Sequence, residues 1–220
     1  MKYHISFDIE FLRHKYPGKL IAIEGNEGSG KSTQVKAVSE ALNKEGYKAL
    51  ATKEPTDLAI GKIIREKILA GKMKVPPISL QYLYCADRAM HLEQIIDYLK
   101  KGYIIVTDRY FWSSVTYGIA DLGDKGDFYL MAFAVLSPYH RFIKPDLTIY
   151  LDIDMKTAMG RIRESHKHKE IYDNERMFPR IDRGYRFLLE KFPQEFAVID
   201  GRSSIEEVTQ RIVSKIKQML

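Results

Sequence analysis

With 220 residues, 45% apolar and 29% charged, the chain can bury one substantial core, and this balance excludes a disordered or fibrous protein. Its 35 basic and 29 acidic residues leave a formal charge of +6, which suits anionic partners but does not by itself select nucleic acid over small phosphates. One cysteine, Cys85, allows no internal disulfide, and no apolar run nears the roughly 18 residues needed to span a bilayer.

The first segment, YHISFDIEF, alternates Tyr3, Ile5, Phe7, Ile9 and Phe11 with polar residues, the period of a strand with one buried face. An extra edge strand and an oligomer contact are both open for it. Asp8, Glu10 and Arg13 interrupt any signal-peptide core, so a cytoplasmic location is expected. After the breaker Pro17-Gly18, residues 1–18 read as an N-terminal extension and 19–220 as one α/β domain. KLIAIE predicts a fully buried strand, and Val35, Val38 and Leu42 mark the apolar stripe of a following helix. YKALAT is a second strand. Helices are expected near 57–70 and 78–101, parted by Pro76-Pro77, and YIIVTD, LTIYLDI and FAVID supply three more strands. Strands separated by helices imply a five-stranded parallel sheet with helices on both faces, a three-layer fold with ligands at the carboxyl ends of the strands.

Between the first strand and its helix lies Gly25-Asn26-Glu27-Gly28-Ser29-Gly30-Lys31-Ser32-Thr33, which satisfies G-x-x-x-x-G-K-[ST]. Its glycines let backbone N–H groups curl round phosphate oxygens, and the helix that starts there adds its positive end. Lys31 is expected to reach the β- and γ-phosphates of ATP, and Ser32 to ligate Mg²⁺. A strand before and a helix after are the context that separates this loop from a chance Gly-rich turn. The loop does not say where the phosphate goes.

Four later stretches lie where an acceptor would have to bind: KEPTD after the second strand, LYCADRAMHLE on a helix, TDRYFWSSVTYG ending the third strand, and GRIRESHKHKE after the fourth. Each has a plainer reading alone. Tyr84 and Arg88, four apart, can be a packing pair; Asp108-Arg109 can be a turn with a local ion pair; HKHK can be a solvated helix end; Glu54-Pro55 can simply start a helix.

Taken in order, LIAIEGNEGSGKSTQ, KEPT, YCADRAMH, DRYFWSSVTYG and LDIDMKTAMGRI resemble the thymidylate kinase family of P-loop nucleoside monophosphate kinases, over roughly residues 19–220. The resemblance implies a P-loop fold with a short lid near 161–175, a homodimer, and transfer of phosphate from Mg-ATP to dTMP, with no nucleic acid or membrane partner. It implies that Arg109 holds the acceptor monophosphate and that Asp108 supports the Mg²⁺ shell or orients that arginine. Tyr84 would stack on the pyrimidine, Arg88 would donate to its O4, and Ser114 would meet the base edge. Tyr117 would lie against the sugar carbon that lacks a hydroxyl, and Glu27 near the acceptor sugar. Arg161 would pack on adenine. The phosphate loop carries no arginine, so the lid must supply the cation for the transferred group; Arg163 is the first choice, with Lys167 and Lys169 as rivals.

The chain departs from the family pattern at several points. Lys53 replaces the arginine of Arg-Glu-Pro before Glu54 and Pro55 and cannot offer a bidentate fork. Thr56-Asp57 replaces a glycine pair, Gly118 replaces a glutamine, and the lid lacks the usual Asp-Arg-x-Glu. A broader pyrimidine deoxynucleotide kinase that accepts dUMP is the nearest alternative, and a nucleic-acid-stimulated ATPase the distant one.

Overall fold

The computed structural model describes residues 10–122, 132, 135–138, 142–165, 171–172 and 175–220. Five strands form one parallel sheet: β1 (Lys19–Gly25), β2 (Ala49–Lys53), β3 (Ile104–Asp108), β4 (Leu147–Asp152) and β5 (Phe196–Asp200), in the spatial order β2-β3-β1-β4-β5. Alternation along β1 explains the layering. Leu20 and Ala22 face one side and Ile21 and Ile23 the other, and all four are fully buried, as a central strand covered on both faces requires.

One face carries α1 (Lys31–Lys44) and α7 (Ile205–Lys217), whose Val35, Val38, Leu42, Ile212 and Ile216 pack on Ile21, Ile23 and Val106. The other face carries α3 (Pro77–Lys100), α4 (Phe111–Leu122) and α6 (Phe178–Lys191) over Leu20, Ala22, Ile105 and Tyr150. The expected helix at 57–70 is a short α2 (Ala59–Ile63) that widens into a π turn, Ile64–Leu69. Pro76-Pro77 separates it from α3 as expected, with Pro77 at the first helical position, where its missing N–H costs nothing. α5 (Met155–Glu164) is capped by Asp154, and α7 starts with a reciprocal Ser204–Glu207 capping box. Among the described residues, no helix is long and apolar enough to cross a membrane.

Register decides where function can sit. Ile23 on β1 and Lys53 on β2 both pair with Asp108 of β3. The phosphate loop, the Lys53-Glu54-Pro55 turn and Asp108-Arg109 therefore leave the sheet side by side at its carboxyl edge, the usual ligand edge of such sheets.

Of the alternating N-terminal run, Tyr3, Ile5, Phe7 and Ile9 lie outside the described residues. Leu12 makes a single parallel bridge to Ile143, ahead of β4. Helices α4 and α6 meet at Gly184, where a Cβ would fall 2.9 Å from the Thr116 backbone. Gly184→Val is expected to lower unfolding free energy by about 2 kcal/mol through overpacking, read from the midpoint of urea denaturation.

Candidate active site

The loop from Gly25 to Thr33 is built to hold anionic oxygens. Gly30 caps α1 in a left-handed conformation (φ 94°), and Gly28 (φ 75°) lies so close to α5 that a Cβ would meet the Ala158 carbonyl oxygen at 2.5 Å. Lys31 crosses the loop and donates to the carbonyls of Gly25 (3.0 Å) and Asn26 (2.8 Å), with the Glu27 carboxylate 3.8 Å away. Burial, helped by the Arg109 charge, draws the Lys31 pKa below its ordinary value. Ser32 Oγ donates to Asp108 Oδ2 at 2.5 Å, while Asp108 Oδ1 is buried without a hydrogen-bond partner.

Arg109 is the one non-glycine residue with positive φ (73°) among the described residues, a conformation that costs an L-residue about 1 kcal/mol. Its backbone N–H donates to Ile23 O at 3.0 Å and the next N–H, Tyr110, to Glu24 at 2.9 Å, so the strain is held in place from both sides. The guanidinium pairs with Glu27, donates to Ser113 Oγ and lies 5.0 Å from the Tyr117 ring centre. The Tyr117 hydroxyl also donates to Glu27, at 2.5 Å. Burial would raise the Glu27 pKa, but the Arg109 and Lys31 charges and the Tyr117 hydroxyl outweigh it and hold it at about 2.

A second buried network lies beside this one. Arg88 on α3 donates to Glu54 Oε2 (2.5 Å), Ser114 Oγ (3.0 Å) and the Tyr110 carbonyl (3.1 Å). Glu54 is also 3.0 Å from His91 Nδ1, and His91 Nε2 lies 2.8 Å from Thr52 Oγ1. Asp87 accepts from the backbone and hydroxyl of Thr56, which fixes the turn after the Glu54-Pro55 cis peptide. Three side chains of the YCADRAMH stretch thus brace the turn after β2.

Both networks open on one cleft of about 550 Å³. Glu27 and the loop from Gly28 to Thr33 line one part, with Arg161 bridging from Ser29 O to Gly201 O (2.9 Å). Lys53, Glu54, Pro55, Tyr84, Arg88, Asp108, Arg109, Ser114 and Tyr117 line the other. Gly25 and Asn26 contribute backbone only; the Asn26 side chain turns away to Asp182. Arg163 does not line the cleft: its side chain is 70% exposed, bonds back to Met159 O and sits 4.0 Å from Glu175. Lys167 and Lys169 fall outside the described residues.

Several site residues escaped the sequence reading. Arg65 lines the cleft, where it donates to the Pro55 and Thr56 carbonyls and pairs with Asp57, but it lies ten positions beyond Pro55, past the short helix Ala59–Ile63, without any motif to mark it. Tyr172 packs edge-on to Tyr117 at 4.7 Å. Glu24 was missed as well, although a carboxylate inside an apolar strand run is a signal that could have found it.

The thymidylate kinase family model matches residues 23–212. The chain belongs to the thymidylate kinase family. A probable thymidylate kinase of Thermococcus gammatolerans is 34% identical over 210 residues, spanning 91% of this chain and 97% of its own. The thymidylate kinase of Caldanaerobacter subterraneus is 33% identical over 207 residues, with 92% and 97% covered. A solved thymidylate kinase structure from Candida albicans superimposes with a TM-score of 0.77 at 26% identity, covering 91% of this chain and 92% of that one. Membership in this family, together with the five-stranded parallel sheet, makes this a P-loop kinase fold.

The depressed Glu27 pKa carries a stability prediction. Between about 4.5 and about 2 the unfolded chain binds more protons at this group than the native one, so its contribution is full above that window and lost as pH falls through it. Glu27→Gln is expected to show a shallower loss of stability between pH 5 and 2.5 than the parent, measured by urea unfolding at each pH.

Proposed function

We propose that this chain transfers the γ-phosphoryl group of ATP to dTMP, giving ADP and dTDP, as a single kinase domain at 19–220 with a lid at about 161–175. The observation that carries this is the continuity of one cleft from the phosphate loop to an acceptor set of Tyr84, Arg88, Arg109, Ser114 and Tyr117. Phosphoryl transfer asks little covalent chemistry of a protein; it needs two anions brought into line and their charge balanced.

On the donor side, loop N–H groups and Lys31 hold the phosphates, and Arg161 with Gly201 and Ile205 walls the base. Ser32 and the unpartnered Asp108 Oδ1 fit a divalent cation, and the pair would hold Mg²⁺ together with ATP phosphate oxygens. When bound, Mg²⁺ neutralises charge that develops on the β- and γ-oxygens. On the acceptor side, Arg109 and Arg65 offer guanidinium donors to the monophosphate, whose oxygen attacks the γ-phosphorus. Tyr84 offers its ring to the pyrimidine and Arg88 a donor toward O4, which suits thymine or uracil and not the amine of cytosine. Tyr117, held by Glu27, crowds the sugar where a 2′-hydroxyl would stand. With Arg163 exposed, Lys167 and Lys169 become the lid cations of this reading.

The homodimer belongs to the same proposal. It is supported by α3, whose Ile78, Tyr82 and Met90 are exposed on the side away from the sheet. A cytoplasmic setting belongs to it as well and rests on the single cysteine, Cys85.

The test is ADP release from Mg-ATP with dTMP, dUMP, UMP, dCMP, dGMP or AMP, beside no-acceptor and single-stranded DNA controls. Release is expected to depend on dTMP and to fall about 10–200-fold in kcat/KM for dUMP, the worth of one methyl in an apolar pocket. Release without a monophosphate, raised by DNA, would overturn the proposal. Arg88→Met is expected to weaken that preference for thymine over cytosine, seen as a reduced dTMP-to-dCMP ratio of kcat/KM.

A further inference from the structure

We infer that residues 11–18, ahead of β1, are a working part of the acceptor site, and that Phe11 is a positioning residue which holds the first turn of α4 and, through it, Arg109 and Ser114. The inference rests on the proposed acceptor role of Arg109. It concerns a segment that lies before the family-matched residues 23–212.

Phe11 stacks on Phe111 with ring centres 5.0 Å apart and planes 10° from parallel, and meets the edge of Trp112 at 5.9 Å. Phe111 and Trp112 are fully buried and open α4. Arg109 lies two residues before Phe111, and Ser113 and Ser114 directly follow Trp112. Phe192 and Phe196 close on Trp112 from the other side, at 5.2 and 5.3 Å, so Phe11 completes an aromatic cage around the turn that carries the acceptor residues.

Residues 12–18 are tied down at several points. Lys144 N–H donates to Leu12 O at 2.8 Å, and the neighbouring Ile143 carbonyl accepts from the Tyr110 hydroxyl at 3.0 Å, so one stretch of chain grips both the segment and the residue after Arg109. His14 Nε2 lies 2.8 Å from Asp146 Oδ2, which also accepts the Leu20 N–H. Gly18 N–H donates to Leu99 O. These contacts reach α3, α4, the chain entering β4 and, through Asp146, Leu20 at the start of β1. The donor loop from Gly28 to Thr33 is not among their partners, so loosening the segment should disturb the acceptor half and spare the donor half.

Arg109 makes this coupling sharp. Its left-handed backbone persists only while the residues on either side are fixed, and the seat of Phe111 fixes one side. A shift of under an ångström there displaces the guanidinium from the acceptor phosphate, and misplacement on this scale is felt strongly in phosphoryl transfer.

Trp112 is the chain's one tryptophan, so its fluorescence reports on the seat directly. In the full-length protein, Phe11→Ala is expected to shift Trp112 emission to longer wavelength and to raise KM for dTMP about tenfold. KM for Mg-ATP should stay within about twofold, and Phe11→Leu, which refills most of the volume, should restore most of the dTMP affinity. His14→Gln loosens the second anchor with Phe11 intact and should give a smaller rise in dTMP KM alone. That variant keeps the test alive should Phe11→Ala fold poorly. A shifted emission with unchanged dTMP KM, or an equal rise in both KM values, would overturn the inference. Arg109→Lys in the same assay separates the two layers. A normal dTMP KM there removes the acceptor role of Arg109, whereas a raised one beside a normal Phe11→Ala removes the role of the segment only.

Discussion

The geometry of the site depends on one buried carboxylate. Glu24 ends the apolar run of β1 and accepts from the backbone N–H groups of Tyr110 and Ser113, the Ser113 hydroxyl and the Tyr185 hydroxyl. Burial raises its pKa, against the pull of these donors and of Arg109. A carboxylate so fully removed from water is costly unless every lone pair is met, and here α4 and α6 meet them. In doing so they are locked to the central strand at the point where the phosphate loop begins. The strained backbone of Arg109 sits between this anchor and Ile23, so its conformation follows from the placement of Glu24.

Around that anchor, three cations of the cleft, Lys31, Arg88 and Arg109, lie against carboxylates. Glu27 holds Arg109 and lies near Lys31, and Glu54 holds Arg88. Such pairing keeps long side chains oriented and removes reorganisation from the moment of reaction. It also sets a competition. In the proposed reaction a phosphate would have to draw Lys31 from the loop carbonyls of Gly25 and Asn26, and the acceptor would share Arg109 with Glu27. The Arg88–Glu54–His91 chain has no such rival role, because its carboxylate serves to orient Arg88.

The central strands were legible because parallel strands buried on both faces read as apolar runs; KLIAIE and YIIVTD map directly onto β1 and β3, whereas the edge strands β2 and β5 are only partly buried. The phosphate loop was legible because its glycines answer a local backbone demand. Arg65 and Tyr172 were not, since they reach the cleft through tertiary packing and no local pattern announces them. Arg163 stands outside the cleft for a local reason. It lies two residues after Arg161 on α5, and a helix turns about 200° over that interval, so only Arg161 can face the phosphate loop while Arg163 faces solvent. The alternation ending at Phe11 reads as a strand; Tyr3 to Ile9 lie outside the described residues, and just beyond Phe11, Leu12 makes one parallel bridge to Ile143, ahead of β4.

The exchange of arginine for Lys53 finds a physical account in the same terms. Lys53 is half exposed and 3.5 Å from Asp57, at the mouth of the cleft. Arg65, much less exposed, pairs with the same Asp57 and aims its remaining donors at the turn carbonyls of Pro55 and Thr56. A planar fork close to the turn is therefore supplied from α2 and its π extension. The residue at 53 is left to contribute charge, for which an ammonium suffices. Lysine at this position thus removes no bidentate donor from the interior of the cleft, which keeps two guanidinium groups, Arg65 and Arg109, in its lining.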